Sequence, residues 1–247
     1  MTEAKGVAVV TGASSGIGAA AVRHLRAAGF DVVAGARRTE KLREVAEPVG
    51  ARTLRLDVGD RESVAAFAAA VPRCDILVNN AGGALGLEPV GESDEDKWRS
   101  MWESNVLGLM LVTRALLPKI EASGNGHIVN IGSIAGFETY PGGAGYTSVK
   151  HGVRAISRTL RLELAGRRVR VTEIDPGMVE TEFSLVRLGD PERAKKVYEG
   201  LTPLTADDIA DCIVWAVTRP WHVNIDEIVV RPIAQASAAV VARGKGL

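Results

Sequence analysis

The chain has 247 residues, in which 30 lysines and arginines balance 30 aspartates and glutamates to a formal net charge of zero. Apolar residues make up 46% and charged residues 24%, which is typical of a folded globular protein and not of a disordered chain. Zero net charge and only 4% aromatic residues argue against a nucleic-acid partner, which needs basic patches and stacking side chains.

Short apolar runs rich in β-branched residues alternate with longer helical patterns. Seven runs are predicted strands: 7–10, 31–36, 53–56, 76–78, 127–131, 169–174 and 225–230. Six segments are predicted helices: 16–28, 40–47, 61–70, 94–122, 145–165 and 206–218. The alternation and the nearly continuous apolar strands predict one α/β domain over residues 1–247. We expect a doubly wound sheet of seven parallel strands with helices on both faces.

Two regions break this alternation. Residues 177–205 form a long connection with a short predicted helix near 191–198, and connections of this length often form a lid over a site. The tail, residues 232–247, is apolar and then basic. We expect this tail to pack on a partner subunit or to be partly mobile.

The cysteines and the length of the apolar segments indicate the cellular compartment of the protein. Cys74 and Cys212 lie in apolar stretches without metal-ligand spacing, as buried thiols do in a reducing cytosol. No segment reaches the ~20 apolar residues that a membrane helix needs, and residues 1–6 lack the pattern of a signal peptide. We therefore expect a cytoplasmic protein with no membrane partner and no bound metal.

A glycine-rich turn follows the first predicted strand. Residues 11–18 have the spacing Gly-x-x-x-Gly-x-Gly, and a predicted helix follows. Glycines let the backbone approach a pyrophosphate closely, and the first turn of a helix offers free N–H groups to an anion. Any tight strand-to-helix turn favours glycine, but the position in the first βα unit of a doubly wound sheet indicates a dinucleotide site.

The end of the second predicted strand indicates which dinucleotide is preferred. Enzymes that prefer NAD usually have an acid here for the ribose 2′-hydroxyl. This chain has Ala36 followed by Arg37 and Arg38. A planar guanidinium suits a 2′-phosphate, which favours NADP over the alternative of two solvated surface charges.

Three side chains form a candidate catalytic set. Ser133 follows the fifth predicted strand, and Tyr146 and Lys150 are four residues apart on one face of a predicted helix. A hydride transfer at a carbinol carbon also needs a proton moved at the oxygen. A phenol has an ordinary pKa of ~10, so it needs a nearby cation to act as a base at neutral pH. Lys150 can supply that charge, and Ser133 can orient the substrate oxygen.

Together these motifs resemble the short-chain dehydrogenase/reductase family, and in particular its NADP-preferring members. The resemblance covers almost the whole chain, with the motifs in the family's order. The matching residues are Thr11–Gly18, Arg37, Arg38, Asp57, Val58, Asn79, Asn80, Ala81, Gly82, Asn105, Ser133, Tyr146, Lys150, Pro176 and Gly177. It implies a Rossmann-type fold, NADP(H) as cofactor, and an oxidoreductase that acts on hydroxy or carbonyl compounds.

The resemblance also implies further residue roles. Asn105 would join the catalytic Ser133, Tyr146 and Lys150 by anchoring a water in a proton relay; the alternative is a helix residue bonded to its own backbone. The residues implied to bind the cofactor are Gly12, Ser14, Ser15, Gly16, Ile17, Gly18, Arg37, Arg38, Asp57, Val58, Asn80, Ala81, Gly82, Tyr146, Lys150, Pro176, Gly177, Val179 and Thr181.

The substrate end is expected from segments 83–89, 134–143 and 177–203. Residues 84–89, 181–187 and 222–225 resemble a subgroup that acts on 3-hydroxy acids and on β-hydroxy amino acids such as serine and allo-threonine. This implies reactions such as malonic semialdehyde to 3-hydroxypropionate. A small carboxylate needs a cation, and Arg187 is our candidate beside Ser133 and Tyr146. Lys195 and Lys196 are weaker candidates, better explained as a solvated face.

Other interpretations stay open at this point. Small residues at positions 142–145 leave room for a bulkier aldehyde or ketone of secondary metabolism. A silent NADP-sensing protein on the same fold is a third possibility, although such a protein would usually lack the tyrosine or the lysine. The resemblance further implies a homodimer or homotetramer, in which helices 94–122 and 145–165 pack on their copies.

Overall fold

The computed structural model describes residues 4–244, and seven parallel strands form its central sheet. The strands are β1 Val7–Thr11, β2 Asp31–Ala36, β3 Arg52–Arg55, β4 Ile76–Asn79, β5 Gly126–Ile131, β6 Val169–Pro176 and β7 Glu227–Val230. Their order across the sheet is β3-β2-β1-β4-β5-β6-β7. The direction of winding reverses between β1 and β4, and ligands bind at the strand carboxyl ends near such a switch point.

Helices cover both faces of the sheet. Within residues 4–244 the α-helices are α1 Gly16–Ala27, α2 Thr39–Ala46, α3 Arg61–Ala70, α4 Glu95–Trp102, α5 Gly108–Ala122, α6 Ala144–Glu163, α7 Phe183–Leu188, α8 Pro191–Val197 and α9 Ala206–Val217. A π-helical segment, Glu103–Leu107, joins α4 to α5, and short 3₁₀ turns lie at Glu47–Val49, Val90–Glu92 and Ile134–Gly136. None of these helices is both long and apolar enough to span a membrane.

The alternating side chains of the strands pack into two separate apolar layers, one on each face of the sheet. Val10 of β1 packs in a layer with Leu25 of α1 and Ile213 of α9. Val9, the neighbouring residue, points to the opposite face and packs in a layer with Phe67 of α3 and Leu116 of α5. Because both faces of β1 are buried, the strand has a continuous apolar sequence.

The predicted sheet is confirmed, with strand ends that differ from the prediction by two residues or fewer. The single helix predicted over 94–122 is wrong, because α4 and α5 are separated by the π-helical segment. The Asn105 side chain lies in that segment and donates to the Met101 carbonyl, as well as bonding Gly83 of a neighbouring loop. A contact with a loop distant in sequence leaves no trace in helical periodicity.

The lid segment, residues 177–205, contains two helices where one was predicted. The helix α8 is at the predicted place, whereas α7 was missed. Ser184 of α7 lies 2.7 Å from the Tyr198 hydroxyl, which itself donates to the Val179 carbonyl. A six-residue helix held by such tertiary contacts has too short an apolar pattern to be recognised in the sequence.

The described part of the tail makes contacts within its own chain, and packing on a partner subunit stays a prediction. The Gln235 side-chain carbonyl accepts from the Met178 N–H at 2.8 Å. The Arg243 guanidinium donates to the Val197 carbonyl at 3.1 Å and also to the Glu199 carbonyl. The described part of the tail therefore lies against the lid segment, and residues 245–247 lie outside the described residues.

Candidate active site

The glycine-rich turn between β1 and α1 has the shape that its sequence predicts. Gly12 and Gly16 have φ angles of +64° and +53°, a conformation that side chains disfavour. A Cβ on Gly18 would lie 2.4 Å from the Gly12 carbonyl oxygen, so only glycine fits there. The Asn80 side chain donates to the Thr11 and Gly12 carbonyls at 3.0 and 3.2 Å and holds the turn in place.

The N-terminus of α1 opens into the cleft at the end of the sheet. Its N-cap residue, Ser15, makes no side-chain capping hydrogen bond, and no acid lies in the first turn. Ser15, Gly16 and Ile17 all line the cleft. The first N–H groups of the helix and its positive dipole end thus face a space that fits an anion such as a pyrophosphate.

Arg37 and Arg38 are exposed at the end of β2, and both line the same cleft. The Arg38 guanidinium donates to the Ser15 hydroxyl at 2.6 Å and to the Ser14 hydroxyl at 3.2 Å. These bonds hold the positive charge beside the glycine-rich turn. A phosphate on the adenosine ribose is the anion that this position suits.

Glu182, at the start of α7, bridges the lid segment to this basic group. Its carboxylate accepts from Arg38 at 2.8 Å and from the Lys41 ammonium at 2.8 Å. Hydrogen bonds from Lys41 and Arg38 hold the pKa of Glu182 well below its usual range. Sequence analysis missed both Lys41 and Glu182, because the first lies in a surface helix and the second only approaches it through the fold.

One cleft of about 850 Å³ brings together almost all the predicted site residues. The predicted residues that line it are Gly12, Ser14, Ser15, Gly16, Ile17, Arg37, Arg38, Asp57, Val58, Asn80, Ala81, Gly82, Ser133, Tyr146, Lys150, Pro176, Gly177, Val179, Thr181 and Arg187. Gly18 and Asn105 do not line the cleft, and each packs behind a segment that does.

Ser133, Tyr146 and Lys150 lie together at one end of the cleft. The Lys150 ammonium lies 5.7 Å from the centroid of the Tyr146 ring and donates to the Ile131 carbonyl at 2.8 Å. Ser133 caps the short 3₁₀ turn after β5, and its hydroxyl accepts from the Ala135 N–H at 3.1 Å. The predicted trio is therefore assembled from the end of β5 and one face of α6.

Burial shifts the pKa of both Tyr146 and Lys150. Burial raises the pKa of the Tyr146 phenol, and the nearby Ser133 hydroxyl and Arg187 guanidinium offset only part of that rise. Burial lowers the pKa of Lys150 to about 8, and the carboxyl groups of Asp175 and Glu173 oppose that shift. Lys150 therefore remains largely cationic at pH 7, where it favours the ionised form of a phenol.

Asn105 is fixed by the backbone of a cleft-lining loop. Its side-chain nitrogen donates to the Gly83 and Met101 carbonyls, both at 2.9 Å, and its side-chain oxygen accepts from the Gly83 N–H at 3.2 Å. The Met101 contact matches the alternative in which the residue bonds the backbone of its own helix, whereas the two Gly83 contacts reach a separate loop. A role in a proton relay stays a prediction.

Arg187 of α7 lies close to the predicted trio of Ser133, Tyr146 and Lys150. Its guanidinium carbon lies 5.5 Å from the ring centroids of both Tyr146 and Tyr140. Its Nε donates to the Gly86 carbonyl at 2.9 Å, and its Nη1 donates to the Tyr140 hydroxyl at 3.0 Å. Sequence analysis missed Tyr140, although it lies in segment 134–143, which was expected to build the substrate end.

Other sequence candidates lie elsewhere. Lys195 and Lys196 are exposed on α8 and do not line the cleft, as the solvated-face interpretation predicted. The expectation that positions 142–145 leave room for a large substrate is wrong, because they do not line the cleft and their glycines pack against neighbouring residues. A Cβ on Gly142 would lie 2.3 Å from the Leu87 carbonyl oxygen, and one on Gly145 would lie 2.6 Å from the Met101 side chain. Across residues 4–244, no group of three His, Cys, Asp or Glu side chains is placed to hold a metal.

A model of the family described as short chain dehydrogenase matches residues 6–187. The chain belongs to this family. The expected family and its oxidoreductase chemistry are thus confirmed, as is the Rossmann-type fold. This short-chain dehydrogenase is 57% identical over 236 residues to an uncharacterised oxidoreductase of Mycobacterium tuberculosis, a match that covers 95% of this chain and 94% of the relative.

Two further relatives have more specific names. The NADP-dependent 3-hydroxy acid dehydrogenase YdfG of Salmonella typhi is 42% identical over 242 residues, covering 95% of this short-chain dehydrogenase and 98% of the relative. Among solved structures, the closed form of a serine dehydrogenase complexed with NADP⁺ superposes with a TM-score of 0.92 at 40% identity. That match covers 96% of this chain and 99% of the other.

Proposed function

We propose that this short-chain dehydrogenase uses NADP(H) to interconvert small 3-hydroxy acids and the corresponding 3-oxo acids. The observation that carries the proposal is the position of Arg187, whose guanidinium carbon lies 5.5 Å from the ring of Tyr146. A permanent cation beside a proton-transfer residue suits a substrate with a carboxylate near its reacting hydroxyl. The name of the relative at 42% identity supports the same substrate class, and serine, in the name of the structure at 40% identity, is also a small 3-hydroxy compound with a carboxylate.

The cofactor would be held along the length of the cleft. The N-terminus of α1 suits the pyrophosphate, and Arg37 and Arg38 suit the 2′-phosphate. We assign Asp57 and Val58 to the adenine. The nicotinamide end is assigned to Lys150, Pro176, Gly177, Val179 and Thr181. When bound, NADP(H) supplies the ring that accepts or returns a hydride.

The catalytic trio would move the proton that accompanies this exchange. Tyr146 takes the proton of the substrate hydroxyl during oxidation and returns it to the carbonyl oxygen during reduction. Lys150 favours the ionised phenol through its positive charge. The Ser133 hydroxyl donates a hydrogen bond to the substrate oxygen and fixes its orientation.

Arg187 would bind the carboxylate. Its Nε and Nη1 are held by Gly86 and Tyr140, so the guanidinium is fixed before the substrate arrives. In the described part of the chain, the remaining nitrogen, Nη2, donates to no protein acceptor. A hydrogen bond between two charged groups is worth ~1.5–3 kcal/mol, which corresponds to roughly 10- to 150-fold in affinity.

The charges of the cleft favour hydroxy acids over β-hydroxy amino acids. Among the described residues that line the cleft, the only acids are Asp57 and Glu182. Asp57 is assigned to the adenine, and Glu182 is already paired with Arg38 and Lys41. Glu88 lies beside Gly86 but is paired with Lys97 at 2.8 Å, and it does not line the cleft. An α-ammonium group would therefore find no unpaired carboxylate among the described cleft-lining residues. We expect 3-hydroxypropionate and its homologues to be better substrates than serine or allo-threonine.

A substrate panel with NADP and with NAD tests the proposal. It pairs each 3-hydroxy acid with the alcohol that lacks the carboxylate, and adds serine, allo-threonine and bulky aldehydes and ketones. Activity on the carboxylates with NADP supports the proposal. A preference for bulky uncharged carbonyls would favour a reductase of secondary metabolism instead, and binding of NADPH without any turnover would favour a sensor.

Assembly and location belong to the same proposal. We infer a homodimer or homotetramer in which α4, α5 and α6 pack on their copies. Trp102, Leu107 and Leu162 project from these helices and the segment between them, with exposed fractions of 40%, 47% and 79%, and they suit an apolar interface. A cytoplasmic location stays a prediction of the sequence.

A further inference from the structure

Two acids of strand β6 are buried next to the predicted trio of Ser133, Tyr146 and Lys150. Glu173 and Asp175 alternate along β6, so both side chains point to the same face. Their exposed fractions are 1% and 0%. Two buried carboxylates are costly unless a positive charge or a shared proton compensates them. Sequence analysis missed them, although two acids two residues apart in a buried strand before Pro176 and Gly177 are a visible signal.

Asp175 supports Ser133 directly. One carboxylate oxygen, Oδ1, accepts from the backbone N–H of Ser133 at 2.8 Å. The other, Oδ2, lies 3.4 Å from the Arg154 guanidinium. The residue that we assign to the substrate oxygen is thus anchored to a buried carboxyl group.

Glu173 and Asp175 meet at Gly132. A Cβ on this residue would lie 2.0 Å from Asp175 Oδ1 and 2.6 Å from Glu173 Oε1. Only a glycine therefore lets the two carboxyl groups come together at this point. Glu173 Oε1 has no hydrogen-bond partner in the described part of the chain, which marks it as a place where a proton can reside.

The surrounding charges do not neutralise two carboxylates. The charged groups that face the pair are Arg154 and Lys150 from α6 and Glu227 from β7. Arg154 donates to Glu227 at 2.8 Å, so its charge is divided between that carboxylate and Asp175. Lys150 is engaged at the Ile131 carbonyl beside Tyr146. One proton on the pair removes the excess negative charge.

We propose that Glu173 and Asp175 share one proton and, as a pair with a single negative charge, position Ser133 and stabilise the cationic form of Lys150. Both are positioning residues, because they act through Ser133 and Lys150 and do not touch the substrate. The proposal rests on the catalytic roles assigned above. It adds to the trio a buried acid pair that no motif of the sequence analysis included.

The direction of the pKa shifts agrees with this geometry. Burial, followed by the charge of Glu173, raises the pKa of Asp175. Burial also raises the pKa of Glu173. Two like charges that share a site cannot both ionise easily, so they titrate as a pair. The negative charge of the pair in turn opposes the lowering of the Lys150 pKa by burial. The charge of Asp175 also adds to the rise in the pKa of Tyr146.

Four variants test the shared proton: Glu173→Gln, Asp175→Asn, the double variant, and Asp75→Asn as a matched control. Asparagine at position 175 keeps an oxygen that can accept from the Ser133 N–H. Asp75 is a similarly buried acid that accepts from the Val7 N–H at the opposite end of the sheet. The measurements are the pH profiles of kcat and of kcat/KM, with thermal stability beside them.

Each single variant keeps one negative charge, so its pH profile should move little. The double variant removes that charge and lowers the pKa of both Lys150 and Tyr146. Its whole profile should move toward lower pH by about one unit, the lower end of the shifts that a close charge produces. Asp75→Asn should lower stability and leave the profile in place.

Other results would overturn the proposal. Equal shifts in both single variants that add in the double variant would mean that both carboxyls are ionised. A loss of stability without any shift would mean a structural role only. Infrared spectroscopy of the unliganded protein gives a readout independent of turnover and of the double variant's folding. The wild type should show a protonated carboxyl band at pH 7 that both single variants lose, and its absence in the wild type would contradict the proposal.

Discussion

The two ends of the cleft are built in different ways. At the cofactor end, the glycine-rich turn presents main-chain groups, and Asn80, just after the neighbouring strand β4, donates to its Thr11 and Gly12 carbonyls. At the substrate end, side chains from distant segments meet, as Arg187 does with Gly86 and Tyr140. One end is thus encoded in a short motif, and the other arises only when the lid, the tail and the loops come together.

The largest expected effect lies where the two ends meet. Tyr146→Phe removes the proton-transferring hydroxyl and keeps the ring that packs edge-on against Phe183 at 5.4 Å. General acid–base catalysis contributes roughly 10²- to 10⁴-fold, so kcat should fall by about a thousandfold. The Kd of NADPH, measured by fluorescence titration, should stay within about twofold. Turnover that survives this substitution would contradict the role of the phenol.

At the cofactor end, the affinity for NADP should depend on individual arginine side chains. Arg38→Ala removes the guanidinium beside Ser14 and Ser15, and the Kd of NADP should rise by about 10- to 100-fold, because a charged hydrogen bond is worth ~1.5–3 kcal/mol. The Kd of NAD should change little. Arg37→Ala should likewise raise the Kd of NADP and leave the Kd of NAD nearly unchanged. Arg43→Ala is the control, since Arg43 is an exposed arginine of α2 that pairs with Glu40. Equal weakening of NADP and NAD would refute the 2′-phosphate assignment.

The smallest expected effect is that of replacing Glu182, which links the lid segment to Arg38 and Lys41. Glu182 accepts hydrogen bonds from Arg38 and Lys41, so it competes with a phosphate for the same cations. Glu182→Gln should therefore tighten NADP binding, by less than about fivefold, because exposed ion pairs are worth ~1 kcal/mol or less. Calorimetry with NADP and NAD measures the difference. Weaker NADP binding in this variant would show that the glutamate helps to hold the arginine in place.

The sequence predicted the sheet and the cofactor end well for a physical reason. Strands buried on both faces have continuous apolar runs, and the glycine-rich turn needs its glycines at fixed spacing. Gly12 is required by its φ of +64°, and Gly18 by the Gly12 carbonyl oxygen, which would lie 2.4 Å from its Cβ. Both requirements arise within the turn itself.

The features that the sequence did not predict depend on contacts between distant segments. The helix 94–122 is interrupted where Asn105 bonds the loop at Gly83. Gly142 and Gly145 pack closely against Leu87 and Met101 and do not add to the volume of the cleft. The buried acid pair at 173 and 175 is visible as two acids in a strand, but its partner Arg154 comes from another element. None of these contacts can be recognised from a repeat or a fixed spacing in the sequence.

The central claim is that Arg187 selects a carboxylate at the substrate end. The most direct measurement compares kcat/KM for 3-hydroxypropionate and for its uncharged counterpart, 1,3-propanediol, in the wild type and in Arg187→Ala. Lys195→Ala and Lys196→Ala serve as controls from the same lid segment.

We predict that Arg187→Ala lowers kcat/KM for the acid by about 10- to 100-fold, the worth of one charged hydrogen bond, and leaves the value for the diol nearly unchanged. Both lysine variants should behave as the wild type does with either substrate. An equal loss on acid and diol, or no loss on the acid, would contradict the claim.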